Sequence, residues 1–136
     1  MNEENVLELG SIEIDDVTRV SIDYNAISNV CALNYNNAAF MVKKDELFLI
    51  IQLLLKARER LEFILLEEKE DKEGVIELAS MNIDGNTKVV ILYGWKSKMC
   101  SLQYNAFTFA LPKDDTYLVI QLLVKCKERL EELANS

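Results

Sequence analysis

Shifting the sequence against itself by 69 positions aligns its two halves without a gap from Val6/Val75 to Glu62/Glu131, with 28 identities in 57 positions. Chance would supply roughly one match in sixteen, so the chain is a tandem duplication, and any fold proposed for one copy must serve the other. The identities are spread along the unit. They include Glu8/Glu77, Ser11/Ser80, Asp15/Asp84, Tyr24/Tyr93, Cys31/Cys100, Tyr35/Tyr104, Asn36/Asn105, Phe40/Phe109 and the helical block Gln52-Leu53-Leu54/Gln121-Leu122-Leu123.

Each copy reads as four strands followed by a helix. First strands are expected over 6–14 and 75–83, closing in Asp15-Asp16-Val17-Thr18 and Asp84-Gly85-Asn86-Thr87. The second of these opens with an Asp-Gly pair that favours a tight hairpin. Val20, Ile22 and Tyr24 alternate on one face of the second strand, as do Val89, Ile91 and Tyr93. Loops 25–29 and 94–98 follow. Third strands turn Cys31, Leu33 and Tyr35, or Cys100, Leu102 and Tyr104, inward, and fourth strands add Phe40 and Val42, or Phe107, Phe109 and Leu111. Pro112, Asp114 and Asp115 suit a helix start in copy two, because proline fits the first turn and acids complement the helix dipole.

The helices limit the architecture further. Leu47, Phe48, Leu49, Ile50, Ile51, Leu53, Leu54 and Leu55 surround their helix with apolar side chains, where a helix lying on one sheet needs only a stripe. Such a helix needs cover on two sides. Its own sheet and the sister helix, Tyr117–Val124, are the nearest candidates. The expected fold is α+β: a tandem ββββα duplication, residues 1–74 and 75–136. Two antiparallel sheets would pack on a central antiparallel helix pair, forming one pseudo-twofold intramolecular dimer. The first helix is expected to continue through Phe63–Glu73 and stop at Gly74.

Composition narrows the chemistry. The 136 residues include no histidine, which removes the commonest general base and zinc ligand together. The three cysteines have no CxxC spacing and read as reduced thiols without a disulfide framework, with Cys31 and Cys100 as small buried hydrophobes. Asp15-Asp16 and Asp114-Asp115 fit turn and helix-start roles, and neither a metal site nor a cofactor is expected. No run reaches the eighteen or so apolar residues of a membrane span. The acidic, polar start Met1–Asn5 resembles no signal or transit peptide, so a cytoplasmic location is expected. No nucleophile–base pair or glycine-rich phosphate loop appears, which points away from an enzyme.

A twice-repeated ββββα unit with paired helices resembles, in topology, the PUR-repeat and whirly families of single-stranded nucleic-acid binders. The resemblance spans nearly the whole chain, and implies binding through exposed sheet faces and hairpin loops. The matching positions are Trp95, Lys96 and Lys98, an aromatic ring between lysines in the second loop of copy two, with Lys88 beside them. The equivalent loop of copy one, 25–29, carries neither charge nor ring. Net charge separates the copies as well: residues 6–62 sum to −3 and residues 75–131 to +1, within a total of −8.

The outward strand positions suggest another partner. In copy one they include Arg19, Ser21, Asp23, Ala32, Asn34 and Met41; in copy two, Lys88, Val90, Leu92, Met99, Ser101, Gln103, Asn105, Thr108 and Ala110. Solvated sheet faces normally carry more charge than the second set. Val90, Leu92, Met99 and Ala110 are expected to form an exposed apolar patch on a face without acids, and such patches mark partner sites. The sheet-face candidates are therefore Val90, Leu92, Met99, Ser101, Gln103 and Asn105. The ranked expectations are a protein-interaction module (adaptor, self-associating protein or inhibitor), then a single-stranded nucleic-acid binder, then an enzyme.

Overall fold

A computed structural model of the chain describes residues 6–67 and 73–134. Strands β1 (Val6–Asp15), β2 (Thr18–Asn25), β3 (Val30–Tyr35) and β4 (Ala38–Lys43) lead into helix α1 (Lys44–Glu67). Strands β5 (Val75–Asp84), β6 (Thr87–Gly94), β7 (Met99–Tyr104) and β8 (Phe107–Pro112) lead into α2 (Lys113–Ala134). The strands form two four-stranded antiparallel meanders, β1-β2-β3-β4 and β5-β6-β7-β8. The fold is α+β with the ββββα unit present twice.

Inward and outward faces follow the alternation in the sequence. Val20 and Ile22, or Val89, Ile91 and Tyr93, are buried, with Cys31 and Leu33, or Cys100 and Leu102, beside them on the next strand. A bulge between Glu8 and Gly10, repeated between Glu77 and Ala79, turns an extra leucine, Leu9 or Leu78, into each core. Phe107 differs from expectation. It stands at the start of edge strand β8 and is 38 % exposed, because it adjoins the hairpin tip and not the middle of the sheet. Pro112 does not open a helix; it ends β8 opposite Met99, a position an edge strand allows because no further strand needs its missing amide.

Two hairpin connections carry their own supports, identical in both copies. Asn36 (φ 55°) and Asn105 (φ 53°) are left-handed, a conformation asparagine tolerates better than most residues. The Asn36 amide donates to the Arg19 carbonyl at 3.0 Å, and its Oδ1 accepts from the Arg19 amide at 2.9 Å. Asn105 does the same with Lys88, at 3.0 and 2.9 Å. At the first hairpin, Oδ1 of Asp15 and of Asp84 accepts from the amide two residues on, at 2.9 and 2.7 Å. The Val17 amide bond is the main reason the Asp15 carboxyl lies below its ordinary pKa. Gly85 is not left-handed, so the Asp84 carboxylate holds this turn where glycine freedom was expected to.

The helices are distributed differently from the sequence repeats. The chain divides into two compact units: Met1–Phe48 with Leu118–Ser136, and Leu49–Tyr117. In the first unit, sheet β1–β4 receives its helical cover from copy two, where Val119, Ile120, Leu122, Leu123, Cys126 and Leu130 are buried. In the second, sheet β5–β8 is grouped with the helix of copy one from Leu49 onward, where Ile50, Ile51, Leu53, Leu54, Ala57, Leu61 and Ile64 are buried. The expectation that each helix lies on its own copy's sheet is therefore corrected: most of each helix belongs with the other sheet.

The close approach is visible at Gly10. A Cβ there would lie 3.0 Å from Leu122 Cδ1 and 3.3 Å from Cys126 Sγ, so glycine on β1 leaves room for both side chains without a shift. The copy-two counterpart of Gly10 is Ala79, and the copy-one counterpart of Cys126 is the smaller Ala57. A small residue on one strand thus goes with a larger one on its helix, and the reverse in the other unit.

Helix α1 is described to Glu67, and Glu73 lies outside a helix; of the expected continuation, 68–72 fall outside the described residues. Gly74 is left-handed (φ 87°), and its carbonyl accepts from the Trp95 amide at 3.1 Å. No helix among the described residues is long and apolar enough to cross a membrane.

Candidate functional site

The outer faces of the two sheets have the same backbone and different chemistry. Across β1–β4 one outward row reads Glu8, Asp23, Ala32, Met41, and the next contains Ser21, Asn34 and Ala39. These polar groups satisfy one another. Asn34 Nδ2 donates to Asp23 Oδ2 at 2.9 Å and to Ser21 Oγ at 3.2 Å, while Arg19 Nη2 reaches Glu8 Oε1 at 3.2 Å. Such an exposed pair contributes little stability, about 0–1 kcal/mol, but it leaves the face internally paired.

Across β5–β8 the equivalent row reads Glu77, Leu92, Ser101, Ala110, and the next Ser80, Val90, Gln103, Thr108. Asp23 has become Leu92 and Ser21 has become Val90, so both members that organise the first face are aliphatic here. The sheet-face candidates Val90, Leu92, Met99, Ser101 and Gln103 are brought together as expected, but all are half-buried by their lateral neighbours. Val90, Leu92 and Met99 are therefore less exposed than the sequence suggested. Its face is also not free of acids, because Glu77 stands directly opposite Leu92 and is exposed. Asn105 lies at the far end of this face, and its amide and side chain are engaged with Lys88 in the hairpin.

The second candidate group lies in the β6–β7 loop. Trp95 is half-buried, with its ring 5.5 Å from that of buried Tyr93 in an edge-on arrangement. The indole therefore packs back onto its own sheet. Lys96 Nζ is 2.9 Å from Glu73 Oε1, an exposed ion pair. Lys98 is left-handed (φ 57°), the position held by Asn29 in copy one, and its carbonyl accepts from the Lys113 amide at α2's start at 3.0 Å. Lys88, Lys96 and Lys98 are exposed. The sequence did not indicate Glu73 as a neighbour of this loop. Its signal was the run of acids before Gly74, which brings a carboxylate to the edge of β5.

Titratable groups elsewhere are shaped by burial. Desolvation pushes the Cys31 thiol up to about 11 and the Cys126 thiol up to about 12, and raises Cys100. Thiols so held are protonated and poorly nucleophilic at neutral pH. Burial first, and then the nearby Glu62 carboxylate, pushes Tyr117 up to about 12. Among the described residues, no three His, Cys, Asp or Glu side chains gather into a metal-binding group. Comparison with protein-family models, curated proteins and solved structures returned no match to this chain.

Proposed function

We propose that this chain is a non-catalytic interaction module that recognises a protein through the outer face of its second sheet. The observation that carries the reading is the difference between two faces built on one backbone. The first face closes on itself through Arg19–Glu8 and through Asn34 with Asp23 and Ser21, whereas the second has Leu92 and Val90 in place of Asp23 and Ser21. An aliphatic strip with a polar surround fits the core of a protein interface.

The alternative, a single-stranded nucleic-acid binder of PUR or whirly type, rests on Trp95, Lys88, Lys96 and Lys98. It is less supported, because the indole lies against Tyr93 and Lys96 is paired with Glu73. The two readings part on three variants of the full chain, assayed for partner capture and for binding labelled single-stranded oligonucleotides. Leu92→Asp is expected to weaken protein capture by about a hundredfold or more, because it places an unpaired charge in an apolar contact. Lys96→Ala with Lys98→Ala is expected to change it little. Oligonucleotide binding at physiological salt that is lost on Trp95→Ala and untouched by Leu92→Asp overturns the proposal.

A further inference from the structure

We propose that the outer face of the second sheet is self-complementary and pairs with the same face of a second copy about a twofold axis, Glu77 of each chain meeting Lys88 of the other. The inference rests on the reading of this face as a protein-binding surface and names its partner.

One copy has a charge pair on its outer face that the other lacks among the described residues. In the first sheet Arg19 reaches Glu8 within the chain at 3.2 Å. The residue lying between them on β2 is Ser21, small enough for the guanidinium to pass over. In the second sheet the equivalents, Lys88 and Glu77, are both exposed, and neither is in an ion pair among the described residues. Val90 stands between them, with Leu92 directly opposite Glu77. On one face, then, an aliphatic side chain separates an acid and a base that have no ion-pair partner among the described residues.

That arrangement has the symmetry an isologous contact requires. Glu77 and Leu92 form one outward row and Lys88 lies two outward positions further along β6, with Val90 midway. A twofold axis in the plane of contact, crossing the strands at Val90, exchanges these rows. Val90 then packs about its own symmetry mate, Leu92 lies over the aliphatic stem of the partner's Lys88, and Glu77 comes within a strand spacing of that lysine's ammonium. Aligned face-to-face packing of this kind is an ordinary way for two sheets to associate. The first sheet's face offers no such match, since its acid and base already satisfy each other.

Size sets the strength. Four strands about 4.8 Å apart and six residues long, at about 3.4 Å each, present a face of roughly 400 Å² in projection. With side-chain relief, a pair of faces buries on the order of 1,000 Å², the lower end for a specific interface. A reversible dimer with a micromolar dissociation constant is expected.

The experiment is sedimentation equilibrium of the full chain from about 1 to about 500 µM, with circular dichroism confirming that each variant is folded. Wild type is expected to show monomer–dimer exchange, and Leu92→Asp to remain monomeric throughout. Met41→Asp, on the first sheet's outer face, is expected to dimerise like wild type. Glu77→Lys alone and Lys88→Glu alone are each expected to weaken the dimer about tenfold, because each sets like charges against each other across the axis. Mixing these two variants is expected to restore wild-type affinity, since both contacts of the mixed dimer then join opposite charges. Only a contact between Glu77 of one copy and Lys88 of another has that property. A chain that stays monomeric at every concentration, or single variants whose mixture is no tighter than either alone, overturns the inference. If Leu92→Asp still abolishes capture of a different protein in that case, the binding face stands and only its occupant is wrong. If Leu92→Asp alters neither association nor capture, the face itself is refuted.

Discussion

The exchange of helices between the copies makes a quantitative demand at one point of contact, Gly10 against Cys126. Gly10→Ala places a methyl 3.0 Å from Leu122 Cδ1 and 3.3 Å from Cys126 Sγ, closer than side chains pack at rest. Overpacking of this size costs about 1–3 kcal/mol, offset by roughly 0.5–1 kcal/mol from the reduced backbone freedom of the unfolded chain. A net loss of about 1–2 kcal/mol is expected. Cys126→Ala deletes one heavy atom from a fully buried site, costing about 1 kcal/mol. Together the substitutions rebuild the Ala79/Ala57 combination of the second unit: the added methyl fills part of the space left by Sγ, and loss of Sγ removes the 3.3 Å contact while the 3.0 Å contact with Leu122 Cδ1 stays. The double variant should therefore be destabilised by only about 0.5–1 kcal/mol, a coupling on the order of 1–2 kcal/mol in its favour. Urea unfolding of the four chains, followed by far-ultraviolet circular dichroism, closes the cycle. Effects that add to within about 0.5 kcal/mol would mean that α2 does not cover the first sheet at Gly10, and would refute the assignment.

Cutting the chain near Gly74 should leave neither half folded as a monomer, since each sheet loses several buried aliphatic side chains worth about 1.5–3 kcal/mol each; mixing the two halves should restore a dispersed nuclear magnetic resonance spectrum. Asn36→Ala and Asn105→Ala should each lower stability by about 1–3 kcal/mol, by losing the Oδ1 bond to the facing amide and straining a left-handed residue, with Asn→Gly recovering part of the loss in urea midpoints. Stability should also fall in alkali: burial raises Cys31 from 9.0 to about 11 and Cys126 from 9.0 to about 12, so the folded state holds protons the unfolded chain releases. That contribution is complete below about pH 9 and is lost as pH rises toward 12, with Tyr117, raised from 10.0 to about 12, adding to the upper part; a urea midpoint unchanged between pH 8 and 11 would contradict it.

Strand order, strand faces and the duplication were all legible in the residues. Alternation at Val20-Ile22-Tyr24 and its copy is a local property, and short connections between antiparallel neighbours leave the meander as the simplest path. The all-round apolar helix also announced that one sheet could not cover it. Which sheet supplies the cover was not legible, because the two helices share most of their apolar positions and the sheets share most of theirs. The discriminating differences, Gly10/Ala79 and Ala57/Cys126, are a hydrogen against a methyl and a methyl against a thiol. They acquire meaning only once the surfaces are in contact at distances near 3 Å.

The candidate site divides in the same way. That the second outer face is aliphatic where the first is polar could be read from the pairs Ser21/Val90 and Asp23/Leu92 between the copies. The surroundings of that face were decided by tertiary register: Glu77 stands beside Leu92 because β5 pairs with β6 fifteen residues away, and Glu73 meets Lys96 because Gly74 receives the Trp95 amide. The indole's turn onto Tyr93 likewise depends on a neighbouring ring and not on its own loop sequence. A residue's intrinsic preference determines whether it belongs to a strand and which face it prefers. What it touches across that face is set by hydrogen-bond registers between segments distant in sequence, and one bulged residue shifts them.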